Sequence, residues 1–252
     1  MKFYIVIPAR YASSRLPGKP LKEIAGKPMI QHVYERAQQC AAERVIVATD
    51  DERIKAAVEG FGGEAVMTAA THASGTDRLY EVAQALNFLP SDIVVNVQGD
   101  EPLIPPAVID QVAGLLARCD GASVATLSES ITRLDDFLDP GVVKVVTDAQ
   151  EHALYFSRAP IPWPRDGFAA DKTRLPDSLN ARRHIGIYAY RVELLNRFVS
   201  WPLAPLEATE SLEQLRVLWN GEKIKVALAA ASVPGGIDTA ADLQRVQRLL
   251  AP

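Results

Sequence analysis

Three cations stand close together near the start of the chain: Arg10, Arg15 and Lys19, in the stretch IPARYASSRLPGKPL at residues 7–21. No acid interrupts them, and the stretch is too rich in Ser, Pro and Gly to be a helix. Arg presents a planar fork that fits two oxygens at once, and Lys a mobile point charge. At spacings of five and four in a loop, the three converge readily on one multi-oxygen anion. Gly18 lets backbone N–H groups come close to a phosphate. The chain as a whole carries a net charge of −4, so this local excess points to a small anionic ligand. The longest basic run is the pair Arg182-Arg183, which argues against duplex nucleic acid as a partner. The competing reading is a solvated basic loop closed by a turn at Pro17-Gly18. The loop is not a Walker A motif: Gly18-Lys19 is followed by Pro20, Gly26-Lys27 by Pro28, and no GxGxxG follows a strand.

The carboxylates come next. QGDEP, residues 98–102, places Asp100 and Glu101 just past an apolar run. A carboxylate there, facing a triphosphate, suits Mg²⁺, which takes one or two carboxylates and fills its octahedron with water and phosphate oxygens. A turn residue or the N-cap of a helix near Pro105 is the alternative. Asp238 lies in GGIDTAADL, where Thr239 and Asp242 form a capping pattern and Asp238 itself could be the cap. Asp50 and Asp51 read as caps for a helix over 52–60. SGTDR, residues 74–78, reads as a helix start capped by Ser74 or Thr76, or as backbone wrapped around a base or ribose. His184 and Tyr188 are four apart in a strand-like run and share a face. His32 and His152 read as packed or surface histidines.

These residues need a scaffold. Residues 3–8, 45–48 and 93–97 are short apolar, β-branched runs, which suit strands buried on both faces of a parallel sheet. Amphipathic segments lie between them. One starts at Pro28, in its first turn, and presents Met29, Ile30, Val33, Tyr34 and Ala37; another starts at Pro105 with Val108, Ile109, Val112, Leu115 and Leu116. A third closes the chain with Leu243, Val246, Leu249 and Leu250. This alternation predicts an open α/β sheet. Ligands then bind outside the carboxyl ends of the strands, where ARYASSRLPGK, TDDE and QGDEP should meet. Residues 150–235 are less regular and read as an insertion or oligomerising element on that sheet. RHIGIYAYR within it is strand-like, and 206–219 is helix-like with Leu212, Leu215 and Leu218.

Composition sets the outer bounds. The 252 residues are 48% hydrophobic and 23% charged, an ordinary globular balance. The two cysteines, Cys40 and Cys119, form no CxxC or Cys/His cluster, so structural zinc and a disulfide framework are not expected and a reducing cytoplasm is. No signal peptide pattern opens the sequence, and no run of about 18 apolar residues suggests a membrane span.

IPARYASSRLPGKPL, SGTDR, VNVQGDEP, YFSRAPIPW, HIGIYAYR, LEQLRVLW and GIDTAADL occur in this order. Together they resemble, from end to end, the 3-deoxy-manno-octulosonate (Kdo) cytidylyltransferases, the CMP-Kdo synthetases of lipopolysaccharide biosynthesis. The first motif alone would indicate only the wider nucleotidyltransferase group, sialic acid cytidylyltransferases included. The resemblance implies one domain over 1–252: a Rossmann-like, mostly parallel sheet flanked by helices, of the nucleotide-diphospho-sugar transferase type. It implies a dimerising and sugar-pocket subregion around 150–235, a cytoplasmic homodimer, and Mg²⁺ as cofactor. The implied reaction is CTP plus Kdo giving CMP-Kdo and pyrophosphate. Residue by residue, it implies that Arg10, Arg15 and Lys19 grip the CTP phosphates, with Lys19, Arg10 and Asp100 catalytic. Ala9, Ser74, Gly75 and Arg78 fall on the cytidine side, and Gln98 lies between nucleotide and sugar acid. Asp100 and Asp238 match the metal carboxylates. Arg158, His184, Tyr188, Glu213 and Gln214 match the lining of the sugar-acid pocket. No role carries over to residues 166–180. The alternatives are the same chemistry on 8-amino-Kdo or a sialic acid, and a non-catalytic nucleotide-binding protein. An oxidoreductase is disfavoured by the missing glycine fingerprint.

Overall fold

The structure is a computed structural model and describes residues 2–12, 16–72 and 74–250. Strand β1 (Phe3–Ala9) leads through a 3-10 turn (Lys19–Leu21) and a small hairpin, β2 (Glu23–Ile24) and β3 (Lys27–Pro28), into helix α1 (Met29–Ala37). Strand–helix alternation continues with β4 (Arg44–Thr49), α2 (Glu52–Gly60), β5 (Glu64–Met67), α3 (Gly75–Ala85), β6 (Ile93–Asn96) and α4 (Pro106–Ala117). The expected strands all form. Met29, Ile30, Val33, Tyr34 and Ala37 are the buried face of α1, as their spacing predicts. Pro28 stands one position outside that helix, at its N-cap and within β3, rather than in its first turn.

The second half begins with β7 (Val124–Ser130), α5 (Leu134–Leu138), the hairpin of β8 (Lys144–Thr147) and β9 (Ala153–Ser157), and α6 (Arg165–Ala170). It ends with β10 (Arg182–Arg191), α7 (Val192–Phe198), α8 (Pro205–Glu210), α9 (Gln214–Trp219), β11 (Ile224–Leu228) and α10 (Ala240–Leu250). The main sheet runs β11-β7-β10-β6-β1-β4-β5, with β8 and β9 attached beside β10. Along that row β10 alone runs against its neighbours, so the sheet is mixed but mostly parallel. Two strands of the 150–235 region, β10 and β11, therefore belong to the main sheet itself. Local pattern cannot show that a strand inserts between two others far away in sequence.

The segment 206–219 is not one helix. It breaks at Ser211, which takes a left-handed conformation (φ 52) between α8 and α9. In α10 the buried stripe is Val246 with Leu243 and Leu250 beside it, while Leu249 is 63% exposed, off the face it was expected to share.

One face of the sheet packs on α1, α2 and α4 through Ile30, Val33, Ile54, Val58, Val108 and Val112. The other packs on α3, α7 and α9 through Leu79, Val82, Leu194, Phe198, Leu215 and Val217. Both faces of β1 and β6 are thereby dry, which is why those strands read as unbroken apolar runs. The chain leaves β1 toward β4 on one side, while β6 flanks β1 on the other. This reversal makes the carboxyl ends of β1 and β6 a topological switch point, where an open sheet parts to form a crevice.

Candidate active site

A cleft of about 780 Å³ opens at that switch point, lined from β1 and its loop by Pro8, Ala9, Arg10, Ala12, Lys19 and Pro20. Gln98, Gly99 and Asp100 line it from the loop after β6, Gly75 and Arg78 from α3, and Asp238 from the segment before α10. The first and third expected loops thus meet. The TDDE loop contributes no lining residue and supports from behind.

Two glycines make the approach possible. Gly18 sits at φ 66, ahead of the Lys19 turn, with the Tyr11 ring 3.1 Å from where a Cβ would stand. At Gly99 a Cβ would come within 2.7 Å of the Pro8 carbonyl oxygen, so only glycine lets the QGD loop cross the end of β1.

Lys19 is the centre of the charged half. Its Nζ donates to Asp100 Oδ2 at 2.6 Å and to Asp238 Oδ1 at 3.2 Å. Those carboxylates are 138 positions apart in sequence (238 − 100) and are brought together by backbone: the Ile237 N–H donates to the Asp100 carbonyl at 2.9 Å. Thr239 and Asp242 do form the capping pattern, with Asp242 accepting from Thr239 N and Oγ1. The Asp238 N–H donates to the same Asp242 Oδ2 at 3.2 Å, while its side chain turns to the cleft. Burial, and then the Asp100 charge, raise the adjacent Glu101 carboxyl to about 8. Arg10 is exposed on the cleft and makes no ion pair among the described residues. Arg15 lies outside the described residues.

Arg78 is fully buried, yet it lines the cleft. Its Nη2 donates to Asp50 Oδ2 and its Nη1 to Thr68 Oγ1, each at 2.6 Å. Asp50 is therefore not a helix cap as expected but the counter-ion that makes a buried guanidinium tolerable. Asp51 alone caps α2, accepting from Arg53 N at 2.9 Å. Of the two candidates for capping α3, Ser74 does so, in a capping box with Asp77. The first N–H groups of an eleven-residue helix thus face the cleft at Gly75.

The candidate sugar-acid residues gather on the α3 side of the sheet. The His184 and Tyr188 rings lie 5.2 Å apart, on one face as predicted. Four apart, they would share a face in any strand; the bulge between Ile185 and Tyr188 brings them close, because His184 stands opposite Ser128 and Tyr188 opposite Thr126, only two positions on. Thr126 Oγ1 lies 2.7 Å from the Ile187 carbonyl, 3.1 Å from that of Ile185 and 3.1 Å from His184 Nε2. A hydroxyl has one proton, and carbonyls only accept, so His184 is the donor through Nε2–H and its Nδ1 is left as an acceptor. Burial pushes the His184 imidazolium down to about 3, so the ring stays neutral. Thr76 donates its hydroxyl to Glu213, whose carboxyl is raised by burial. Gln98 reaches across with Nε2 to the Gly186 carbonyl at 3.3 Å, joining the two halves.

Arg158 is held differently. Its guanidinium donates to backbone carbonyls, Nε to Glu210 at 2.7 Å and Nη1 to Pro140 at 3.0 Å, and it does not line the open cleft. Glu210 also accepts from Arg158 N at 2.9 Å and from Ser157 Oγ at 2.6 Å. Fully buried Lys144 donates to the Arg158, Val142 and Asp139 carbonyls. Sequence reading missed Glu210, Lys144, Thr126 and the role of Asp50. Two of them left signals: a lone charge inside GVVKVV, and two tandem acids where one helix needs one cap.

Among the described residues no group of three or more His, Cys, Asp or Glu could hold a metal alone, and no helix is long and apolar enough to cross a membrane.

A cytidylyltransferase family model matches residues 4–224. The 3-deoxy-manno-octulosonate cytidylyltransferase of Cellvibrio japonicus is 68% identical over 99% of this chain and 98% of its own length. That of Pseudomonas fluorescens is 60% identical over 98% of each. A solved structure of CMP:2-keto-3-deoxy-manno-octonic acid synthetase complexed with CTP is 46% identical and superposes with a TM-score of 0.90, covering 100% of this chain and 99% of its own. A cytidylyltransferase from Leptospira borgpetersenii, 17% identical, shares the fold at a TM-score of 0.61 over 98% of this chain and 84% of its own.

Proposed function

This chain belongs to the cytidylyltransferase family, among the 3-deoxy-manno-octulosonate cytidylyltransferases, and on that premise we propose that it transfers CMP from CTP to the anomeric hydroxyl of Kdo. The products are CMP-Kdo and pyrophosphate, for lipopolysaccharide biosynthesis. The observation that carries the reading is Lys19 between Asp100 and Asp238 beside a cleft at the switch point. One cation and two distant carboxylates there suit a triphosphate and its counter-ion.

Arg10 and Lys19, with Arg15, hold the triphosphate and neutralise the charge that grows on its oxygens as the anomeric hydroxyl attacks the α-phosphorus and pyrophosphate leaves in line. The backbone at Ala9, Ser74 and Gly75, with Arg78, lines the nucleoside side. Gln98 separates nucleotide from sugar acid, which His184, Tyr188, Glu213, Gln214 and Arg158 orient. The residues fit a divalent cation, because the Lys19 ammonium already serves as a stand-in positive charge touching both carboxylates. Mg²⁺ held by Asp100 and Asp238 would supply further charge neutralisation and a lower pKa for the attacking hydroxyl. Lys19 then has its Nζ available to the phosphates. We place the enzyme in the cytoplasm as one nucleotidyltransferase domain acting as a homodimer, with the 150–235 region at the dimer contact.

The test is pyrophosphate release with Mg²⁺ and each of CTP, ATP, GTP and UTP against Kdo, 8-amino-Kdo and sialic acid. Release that needs both CTP and Kdo is expected. Release only with another sugar acid moves the substrate, and none from protein that still binds CTP makes it a silent binding protein.

A further inference from the structure

Six buried side-chain polar atoms lack a hydrogen-bond partner among the described residues: Arg78 Nε, Asn96 Oδ1, Glu101 Oε2, His152 Nε2, Tyr188 OH and Gln214 Nε2. Arg78 lines the cleft, Glu101 follows Asp100 of its lining, and Asn96 stands opposite Tyr188 in register. Arg78, Tyr188 and Gln214 have roles in the proposed reaction, and Glu101 flanks Asp100. Asn96 has none.

Asn96 is the last residue of β6 and is 5% exposed. Its neighbours Val94, Val95 and Val97 are fully buried and apolar, and an apolar residue at 96 would suit the packing as well. An amide oxygen left there without a donor weakens the fold. In register it stands opposite Tyr188 of β10, and residues directly opposite in an antiparallel pair share a face. The orphaned amide oxygen and the orphaned phenol therefore leave the sheet on the same side, the side of α3 and Glu213. A Cβ built on Gly75 would lie 3.9 Å from Asn96 Nδ2, and Gly75 lines the cleft. The amide is buried and sits just behind the cleft wall, with Gly75, which carries no side chain, beside its Nδ2.

We propose that Asn96 is a substrate-binding residue, its Oδ1 accepting a hydrogen bond from a hydroxyl of the polyhydroxylated sugar acid beside the Tyr188 phenol. The proposal rests on the cytidylyl transfer to a sugar acid proposed above. It explains why a polar residue is kept in an apolar strand: the ligand completes the bond that the protein lacks.

Two variants test it, the near-isosteric Asn96→Leu and the smaller Asn96→Ala, read by melting temperature and by steady-state kinetics in both substrates. For a ligand-reading amide, Asn96→Leu melts at or above the wild-type temperature, because an unpaired buried polar group has been removed. In both variants KM for the sugar acid rises about tenfold while KM for CTP stays within about twofold, as for loss of one ligand hydrogen bond. A fall in the melting temperature of Asn96→Leu, the mark of a structural amide, overturns the proposal. So does an unchanged sugar-acid KM in both variants, or a rise confined to CTP. Wild-type protein that releases no pyrophosphate with any sugar acid overturns the reaction as well, whereas an active wild type with indifferent variants overturns only the role of Asn96.

Discussion

The two halves of the cleft are built on opposite principles. On the β1 side the groups are charged, long and partly in water: exposed Arg10, and Lys19 paired with Asp100 and with half-exposed Asp238. On the β10 side Tyr188 and Gln214 are neutral and buried and leave polar atoms without partners, burial raises the Glu213 carboxyl, and the Arg158 cation is tied to backbone carbonyls. In the charged half Lys19 is paired with both carboxylates, so a phosphate must compete for its ammonium, while Arg10 makes no ion pair among the described residues. The buried half is fixed by the sheet and offers polar atoms that the described residues do not pair. Charge handles the highly charged part of the substrate, and preorganised hydrogen bonds discriminate the polyhydroxylated part.

The largest effect should come from the charged half. Asp100→Asn removes a full negative charge from the pair that Lys19 bridges. We expect kcat to fall about a thousandfold in Mg²⁺, with the fold intact by circular dichroism. Turnover near the wild-type rate would remove Asp100 from the chemistry and erase the contrast between the halves.

Lys19→Ala comes next. Turnover should fall about a hundredfold or more, while the melting temperature moves by no more than about 4 °C, because a part-exposed pair contributes little to stability. Without nucleotide, Mg²⁺ should raise the melting temperature of this variant more than that of the wild type, since the carboxylates have lost their internal cation. Equal Mg²⁺ responses would mean that the ammonium and the metal do not share a seat.

The sequence made the charged half easier to read than the buried half, for a physical reason. A run of cations without acids, and glycine where backbone must pass, are local signals, and so were the strands β1, β4 and β6. The capping reading of Asp50 failed because its partner, Arg78, is 28 residues away in a buried contact. The break at Ser211 was hidden because the leucines that keep a helical spacing, Leu212, Leu215 and Leu218, all lie on one side of it. The placement of β10 between β6 and β7 depends on pairing that no single stretch encodes. The buried half is made of such long-range contacts.

A smaller effect is expected where the halves' supports differ. Glu210 fixes both the Arg158 N–H and Ser157. Glu210→Gln keeps the shape but replaces charge-assisted hydrogen bonds with neutral ones. KM for Kdo should rise about threefold to tenfold, with KM for CTP unchanged. An equal rise for both substrates would show that Glu210 supports the cleft as a whole and not its sugar side.

The smallest effect is a pH dependence of stability that belongs to the buried half. Burial lowers the His184 pKa to about 3, against about 6.5 in the unfolded chain. The folded state then holds the neutral ring, and the unfolded state takes up the proton first as pH falls. The stabilisation from His184 is therefore fully present above about pH 6.5 and is lost progressively as pH falls from there toward 3. His184→Gln removes that titration while keeping a neutral side chain able to donate toward Thr126. Between pH 7.5 and 5.5 the wild type should lose about 2–4 °C more in melting temperature than the variant. Parallel curves would mean that the folded ring titrates as it does in water, and the buried half would then carry charge after all. A steeper fall in the variant would make the imidazolium a stabilising group, and the Nε2–H bond to Thr126 would no longer imply a neutral ring with Nδ1 as an acceptor.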